Sequence, residues 1–339
     1  MISGTDRELR LKYYAKAVMM VEPTNFFFNQ ETACDNEFMN DIEDDNATME
    51  CTPSGRELNT GINQVAIKEH QGLNQKIQDN GVSVLCYKQQ ADDLPDSVFP
   101  NNWVSVHDYP ELSKERVVAV YPMKVKSRQR EVNPDIISDL TGPEGHCIDF
   151  TGYTQLDKAL EGTGVLIFDP LNQKIYAGIS QRCEKDVLEH FCENLNEKCV
   201  RPWKLVTFNA TTPTGTPIYH TNVMMAILSD HAVICLESIC DPEERQRVVD
   251  ELSSPELNSF PRTVIDISMK EVYEMCGNIL CVVNHNNDPC VIMSSTAYNG
   301  FSDANKKELE SNYTIIHSDV STIEKIGGGS ARCMVAEVF

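Results

Sequence analysis

The sequence contains no stretch approaching the roughly 18 to 20 consecutive apolar residues that a membrane-spanning helix needs. Its first residues, Met1-Ile2-Ser3-Gly4-Thr5-Asp6-Arg7-Glu8, also lack a basic region followed by an apolar run, so no secretory signal is read there. These absences predict a soluble, cytoplasmic protein with no membrane partner. Without secretion, the Asn-x-Ser/Thr tripeptides beginning at Asn46, Asn209 and Asn312 carry no glycosylation meaning. Positive charge is scarce as well. Lys and Arg total 29 against 51 Asp and Glu, a formal charge of −22, which would repel phosphate backbones and anionic bilayers. Nucleic acid is not an expected partner.

Neither CxxC nor HExxH occurs, so the usual local spacings of metal ligands are missing, and no metal is expected. Cysteine itself is abundant, at 13 residues. The count is odd, the chain is long, and residues such as Cys235, Cys281 and Cys290 sit in apolar segments. Reduced core thiols fit better than a disulfide framework.

The chain has 339 residues, 41% of them hydrophobic, enough to bury a large core. Short apolar runs rich in β-branched residues recur at 17–21, 82–87, 117–122, 164–168, 204–208, 231–236, 279–283 and 289–293, and these read as strands. Between them lie helical patterns. One covers 61–80, with Ile62, Val65, Ala66, Leu73 and Ile77 on one face, and another covers 242–252 behind Asp241 as N-cap. The class is therefore α/β or α+β. No linker divides the chain, so one domain over 1–339 is expected. The stretch 34–55, with Asp35, Glu37, Asp41, Glu43, Asp44, Asp45 and Glu50, is acidic and poor in apolar residues, which predicts a solvated loop.

Chemistry shows first near the end of the chain, where Ile326-Gly327-Gly328-Gly329-Ser330-Ala331-Arg332-Cys333-Met334 puts a cysteine after a glycine-rich turn. Glycines there allow tight backbone conformations and free amide N–H groups. A thiolate at such a turn, close to Arg332, could act as a nucleophile, or the thiol could simply pack in a terminal strand. His220 and Asn222, two apart in Ile218-Tyr219-His220-Thr221-Asn222-Val223, share a side if the segment is a strand. His220 is a candidate proton shuttle or a satisfied structural histidine. Glu161 in Leu160-Glu161-Gly162-Thr163-Gly164 is a carboxylate that could orient it, or part of a surface turn. In Phe99-Pro100-Asn101-Asn102-Trp103 two amides sit between bulky apolar groups and must find partners.

Taken in order, Phe-Pro-Asn-Asn-Trp, Glu-Gly-Thr-Gly, His-Thr-Asn and Gly-Gly-Gly-Ser-Ala-Arg-Cys resemble the guanidino-group modifying superfamily. Its members include arginine deiminases, dimethylarginine dimethylaminohydrolases, succinylarginine dihydrolases and amidinotransferases. Among these it resembles in particular citrulline-utilisation hydrolases of the amidinotransferase type, also at Pro23-Thr24-Asn25-Phe26-Phe27-Phe28-Asn29. The resemblance implies an α/β fold in the form of a five-bladed propeller with the site in its central channel, and neither metal nor organic cofactor. It makes Cys333 the nucleophile, His220 the general acid and base, and Glu161 the carboxylate that hydrogen-bonds the substrate nitrogen. Asn102 and Asn222 would grip the planar head group. Arg128 in Ser127-Arg128-Gln129-Arg130 and Arg182 in Ser180-Gln181-Arg182 would bind the carboxylate of a small amino-acid substrate, or form ion pairs instead.

Deiminases carry aspartates where this chain has Asn102 and Asn222. A ureido group is neutral and has a carbonyl oxygen that needs a donor, which an amide supplies and an ionised carboxylate does not. The expected activity is therefore citrulline hydrolysis to ornithine, carbon dioxide and ammonia through an S-carbamoyl cysteine. An arginine deiminase or dihydrolase is the alternative within the same chemistry. An amidinotransferase and a non-catalytic binding protein are the alternatives outside it.

Overall fold

In the computed structural model, residues 4–34, 36–39 and 53–339 are described. Their apolar runs are too short and too β-branched for helices, and the buried ones form paired strands. The middle strands of five three-stranded sheets are β1 (Ala17–Glu22), β4 (Val117–Val120), β7 (Lys174–Gly178), β10 (His231–Ile234) and β13 (Pro289–Ser294). Four first strands precede their middle strands in the chain: β3 (Val104–His107), β6 (Ile167–Asp169), β9 (Met225–Ile227) and β12 (Leu280–Val283). Each pairs antiparallel with its middle strand. The third strands are β2 (Ser83–Lys88), β5 (His146–Asp149), β8 (Lys204–Phe208), β11 (Thr263–Asp266) and β14 (Thr314–Ser318), and these pair parallel. A parallel return needs a long crossover. The helices Pro53–Asp79, Pro134–Thr141, Lys185–Glu197, Pro242–Ser253 and Asp303–Asn312 supply one per sheet.

The first sheet takes its antiparallel strand from the other end of the chain. β15 (Ala336–Val338) pairs with β1, Ala17 opposite Val338. Burial follows one plan in most units, β15 of the first sheet being only partly buried. The first two strands are almost wholly buried, as in β3, β4, β9, β10, β12 and β13, whereas β2 and β5 are mostly exposed edges.

The helix read at 61–80 begins earlier, at Pro53. The one read at 242–252 is Pro242–Ser253, with the Asp241 side chain accepting from the Glu244 N–H at 2.7 Å. The strand read at 164–168 is different: Gly162–Val165 forms a helical turn and β6 starts only at Ile167. No described cysteine is in a disulfide. Among the described residues no helix is long and apolar enough to cross a membrane. Most of the acidic stretch 34–55 lies outside the described residues. Its beginning departs from a solvated loop, since Asn36, Phe38 and Met39 are buried, with Phe38 against the rings of Tyr219 and Tyr273.

Candidate active site

Each sheet receives its first strand from a tight turn, and of the side chains read as functional in the sequence all but Arg128 and Arg182 come from those turns, those two lying beyond the middle strands β4 and β7. Asn102 lies in the 3₁₀ turn Pro100–Asn102 before β3, and Glu161 caps the turn before β6. His220 and Asn222 belong to the turn before β9, where Thr221–Val223 is a 3₁₀ turn and not the strand expected from the sequence. Cys333 lies in the turn before β15, and its N–H donates to the Ser330 carbonyl at 2.9 Å.

The glycines of these turns are there for close approach. Gly328 ends the helix Ser321–Gly327 in a left-handed conformation, φ 67°, which favours glycine. A Cβ at Gly164 would lie 2.5 Å from Asn102 Nδ2 and 3.0 Å from the His220 ring. The absent side chain lets the amide and the imidazole converge.

Cys333, His220, Asn102, Arg128 and Arg182 all line one cavity, together with Asp96 and Tyr219. His220 Nε2 is 2.8 Å from Glu161 Oε2. A carboxylate there fixes the proton on Nε2 and leaves Nδ1 as the basic nitrogen. Burial would raise the Glu161 carboxyl, but the Arg182 guanidinium at 3.2 Å, the His220 hydrogen bond and the charge of Arg128 hold it well below the usual carboxylate range. Its other oxygen accepts from the Lys124 N–H at 3.0 Å. Burial lowers His220 to about 4 despite Glu161. At neutral pH the pair is therefore an ionised carboxylate beside a neutral imidazole, the form a general base requires.

Arg128 is buried and fully engaged on one side, with Nε 3.0 Å from Glu131 and Nη2 3.0 Å from the Phe99 carbonyl. Its Nη1 donates to Asn102 Oδ1 at 2.7 Å. That bond orients the amide, so Asn102 Nδ2 is the end left over, buried and without a partner. Arg182 lies with its guanidinium 5.0 Å over the Tyr219 ring, and its Nη2 donates to the Thr32 carbonyl at 3.3 Å. Arg332, expected to support the thiolate, turns away to Glu337 at 2.9 Å.

Asn222 does not line the cavity. Its Nδ2 is 3.5 Å from Cys333 Sγ, so it holds the thiol and not the open space. A second amide does the same: Asn278 Nδ2 lies 3.3 Å from Sγ, and its Oδ1 accepts the Arg332 N–H at 3.1 Å. The sequence reading missed Asn278, which lies in the turn before β12 as Asn102 does before β3. It also missed Asp96, a buried carboxylate of the 3₁₀ turn Pro95–Val98. Asp96 Oδ2 accepts from Asn29 at 2.8 Å, while Oδ1 has no partner.

The profile of the eukaryotic N,N dimethylarginine dimethylhydrolase family matches residues 22–339. The chain belongs to this family. Membership makes it a hydrolase of carbon–nitrogen bonds other than peptide bonds, within the guanidino-group modifying superfamily. No curated protein sequence matches the chain significantly. Among solved structures, the substrate-bound N-terminal domain of ArgZ, an arginine dihydrolase of the cyanobacterial ornithine-ammonia cycle, is 19% identical with a TM-score of 0.67, covering 95% of this chain and 97% of that one. The chain spans only 40% of full-length ArgZ. Dimethylarginine dimethylaminohydrolase from Pseudomonas aeruginosa, complexed with citrulline, is 16% identical with a TM-score of 0.59, covering 96% and 100%. Like these enzymes the dimethylhydrolase-family chain has the α/β fold of five small sheets.

Proposed function

We propose that the chain is a thiol hydrolase that attacks the carbon of a ureido head group, with citrulline as substrate. The observation that carries this reading is the orientation of Asn102. Its oxygen is taken by Arg128, and its Nδ2 is buried, unpartnered and beside Gly164 in the wall of the cavity that Asn102 lines. A ureido oxygen accepts such a donor, whereas a guanidinium presents only N–H groups and would leave it unmatched. The family-wide five-bladed propeller with its site in a central channel is part of the reading. It is supported by β15 lying against β3, β6 against β9, and β9 against β12, and the chain then forms one domain.

In the reaction, His220, neutral at rest, takes the Cys333 proton as the sulfur attacks the ureido carbon, and then gives that proton to the departing ornithine amine. This leaves an S-carbamoyl cysteine. His220 then takes a proton from water, whose oxygen attacks the same carbon and frees carbamate and the thiolate. Carbamate decomposes to ammonia and carbon dioxide. Glu161 keeps His220 in the correct tautomer, and Arg182 holds Glu161 ionised. Arg128 and Arg182, read in the sequence as binders of the substrate carboxylate or as ion pairs, are both ion-paired within the protein, to Glu131 and Glu161, and act here through Asn102 and Glu161.

A second reading, arginine dihydrolase, is favoured by the unpartnered Asp96 Oδ1, which can take a donor from a cation in the same cavity. The test is turnover of citrulline, arginine, methylated arginines and agmatine, with separate detection of ammonia, carbon dioxide and ornithine. Ornithine and carbon dioxide from citrulline, abolished by Cys333→Ala, is the expected result. Formation of citrulline from arginine as the end product would overturn it.

A further inference from the structure

On the outer part of the first sheet lies a cluster of three chemically different side chains unrelated to the cavity above. Glu22 ends β1, Cys86 is in β2 and His70 lies in the helix Pro53–Asp79. The parallel register pairs Met20 with Cys86, so Glu22, two residues on from Met20, points to the same face as Cys86. His70 meets them there from the helix. One carboxylate oxygen, one imidazole nitrogen and one thiol sulfur all lie within 4.8 Å of one another.

His70 makes this more than a chance grouping. The residue has 0% relative accessibility, and neither ring nitrogen has a hydrogen-bond partner. Buried polar atoms left unpaired cost on the order of 1 to 3 kcal/mol, and an imidazole offers two. Cys86 is exposed, which gives an ion a way in.

We propose that Glu22, His70 and Cys86 form a binding site for a divalent ion of the zinc class. Thiolate and imidazole select this class over magnesium or calcium, and three protein ligands leave a fourth position for water. With ligands at 22, 70 and 86, no local motif could reveal the site. The ion ties the helix Pro53–Asp79 to the sheet just before the segment that runs along the catalytic cavity. Asn63 of the same helix already grips that segment, accepting from the Phe26 N–H at 2.8 Å and donating to the Thr24 carbonyl at 2.9 Å. Farther along it, Asn29 donates to Asp96 and the Thr32 carbonyl accepts a hydrogen bond from Arg182. The site is thus a staple for one wall of the active site.

The test uses the Cys333→Ala protein, so that the catalytic thiol cannot capture metal. Zinc is titrated in competition with a chromophoric chelator, and cobalt is added separately to look for a thiolate-to-metal absorption band. One equivalent of zinc, a cobalt–thiolate band and a rise in Tm with zinc are expected. Adding Cys86→Ala, at an exposed position that tolerates truncation, should remove the band and the Tm rise and weaken zinc by at least about tenfold. Glu22→Gln should weaken zinc while keeping the band. Absence of stoichiometric binding, or a band and affinity unchanged by Cys86→Ala, would overturn the proposal.

Discussion

Changing Asn102 to Asp separates the head-group reading from every other role of the cavity. The substitution keeps the Oδ1 that accepts from Arg128 at 2.7 Å and replaces the unpartnered Nδ2 by a second oxygen. The new carboxylate stays ionised beside the Arg128 guanidinium, so its outer oxygen faces the substrate as an acceptor only. Against a ureido oxygen it leaves two acceptors opposed, at a cost on the order of 1 to 3 kcal/mol. Because 1.4 kcal/mol is a factor of ten, kcat/KM for citrulline should fall about 5- to 150-fold. Arginine, whose guanidinium donates to that oxygen, should gain relative to it. Asn222→Asp serves as the control. Its side chain touches Cys333 Sγ at 3.5 Å and not the cavity, so a carboxylate there repels the thiolate and lowers turnover of all substrates alike. The assay is kcat/KM for citrulline and arginine in both variants. An unchanged citrulline-to-arginine ratio in Asn102→Asp, or a ratio shifted equally by Asn222→Asp, refutes the argument.

Glu161→Gln removes the charge that fixes the His220 Nε2 proton at 2.8 Å, and kcat should drop roughly 100-fold, the scale of a lost acid–base partner, with the fold intact by circular dichroism. Asn278→Ala loses a donor 3.3 Å from Sγ; hydrogen bonds to charged groups contribute about 1.5 to 3 kcal/mol, so alkylation of Cys333 at fixed pH and kcat/KM should both slow at least about tenfold, and unchanged alkylation would make Asn278 merely structural. Burial lowers His107 from its ordinary 6.5 to about 3, which means that the unfolded chain takes up a proton as pH falls below about 6.5 while the folded chain refuses it down to about 3. Stability present at neutral pH is lost across that window, by about 1.4 kcal/mol per pH unit for this one proton; urea unfolding of His107→Phe should show a shallower slope between pH 6 and 4, and parallel slopes would sink the assignment.

How much of this was legible follows from the repeat. Four turns stand out in the sequence because their residues are chemically conspicuous: Asn102, the Glu161–Gly164 turn, His220 with Asn222, and Cys333. The strands that follow those turns are only three or four residues long, too short to show a period, so the sequence marks no strand at β3, β9 or β15 and sets the one at β6 too early. Exposed third strands such as β5 and β11 carry mixed residues and were missed as well. Cavity membership of Asp96 depends on packing between turns, which no spacing along the chain expresses.

Set on their strands, the five turns spell one pattern. Asn102-Trp103-Val104, Gly164-Val165-Leu166, Asn222-Val223-Met224, Asn278-Ile279-Leu280 and Cys333-Met334-Val335 each put a small or polar residue before two apolar ones that enter the core. The apolar pair anchors the start of each first strand, which forces the preceding side chain toward the shared site. Chemistry is then distributed by substitution at one repeated position: amides at three, the thiol at one, and glycine at the fifth, where a Cβ would collide with both Asn102 and His220. Asn278 was therefore deducible, since a fivefold repeat with four functional turns requires a fifth before β12. The same argument explains why Asn102 and Asn222, alike in sequence, differ in role. Asn102 lines the cavity with its oxygen held by Arg128, whereas Asn222 and Asn278 each place an Nδ2 donor within 3.5 Å of Sγ.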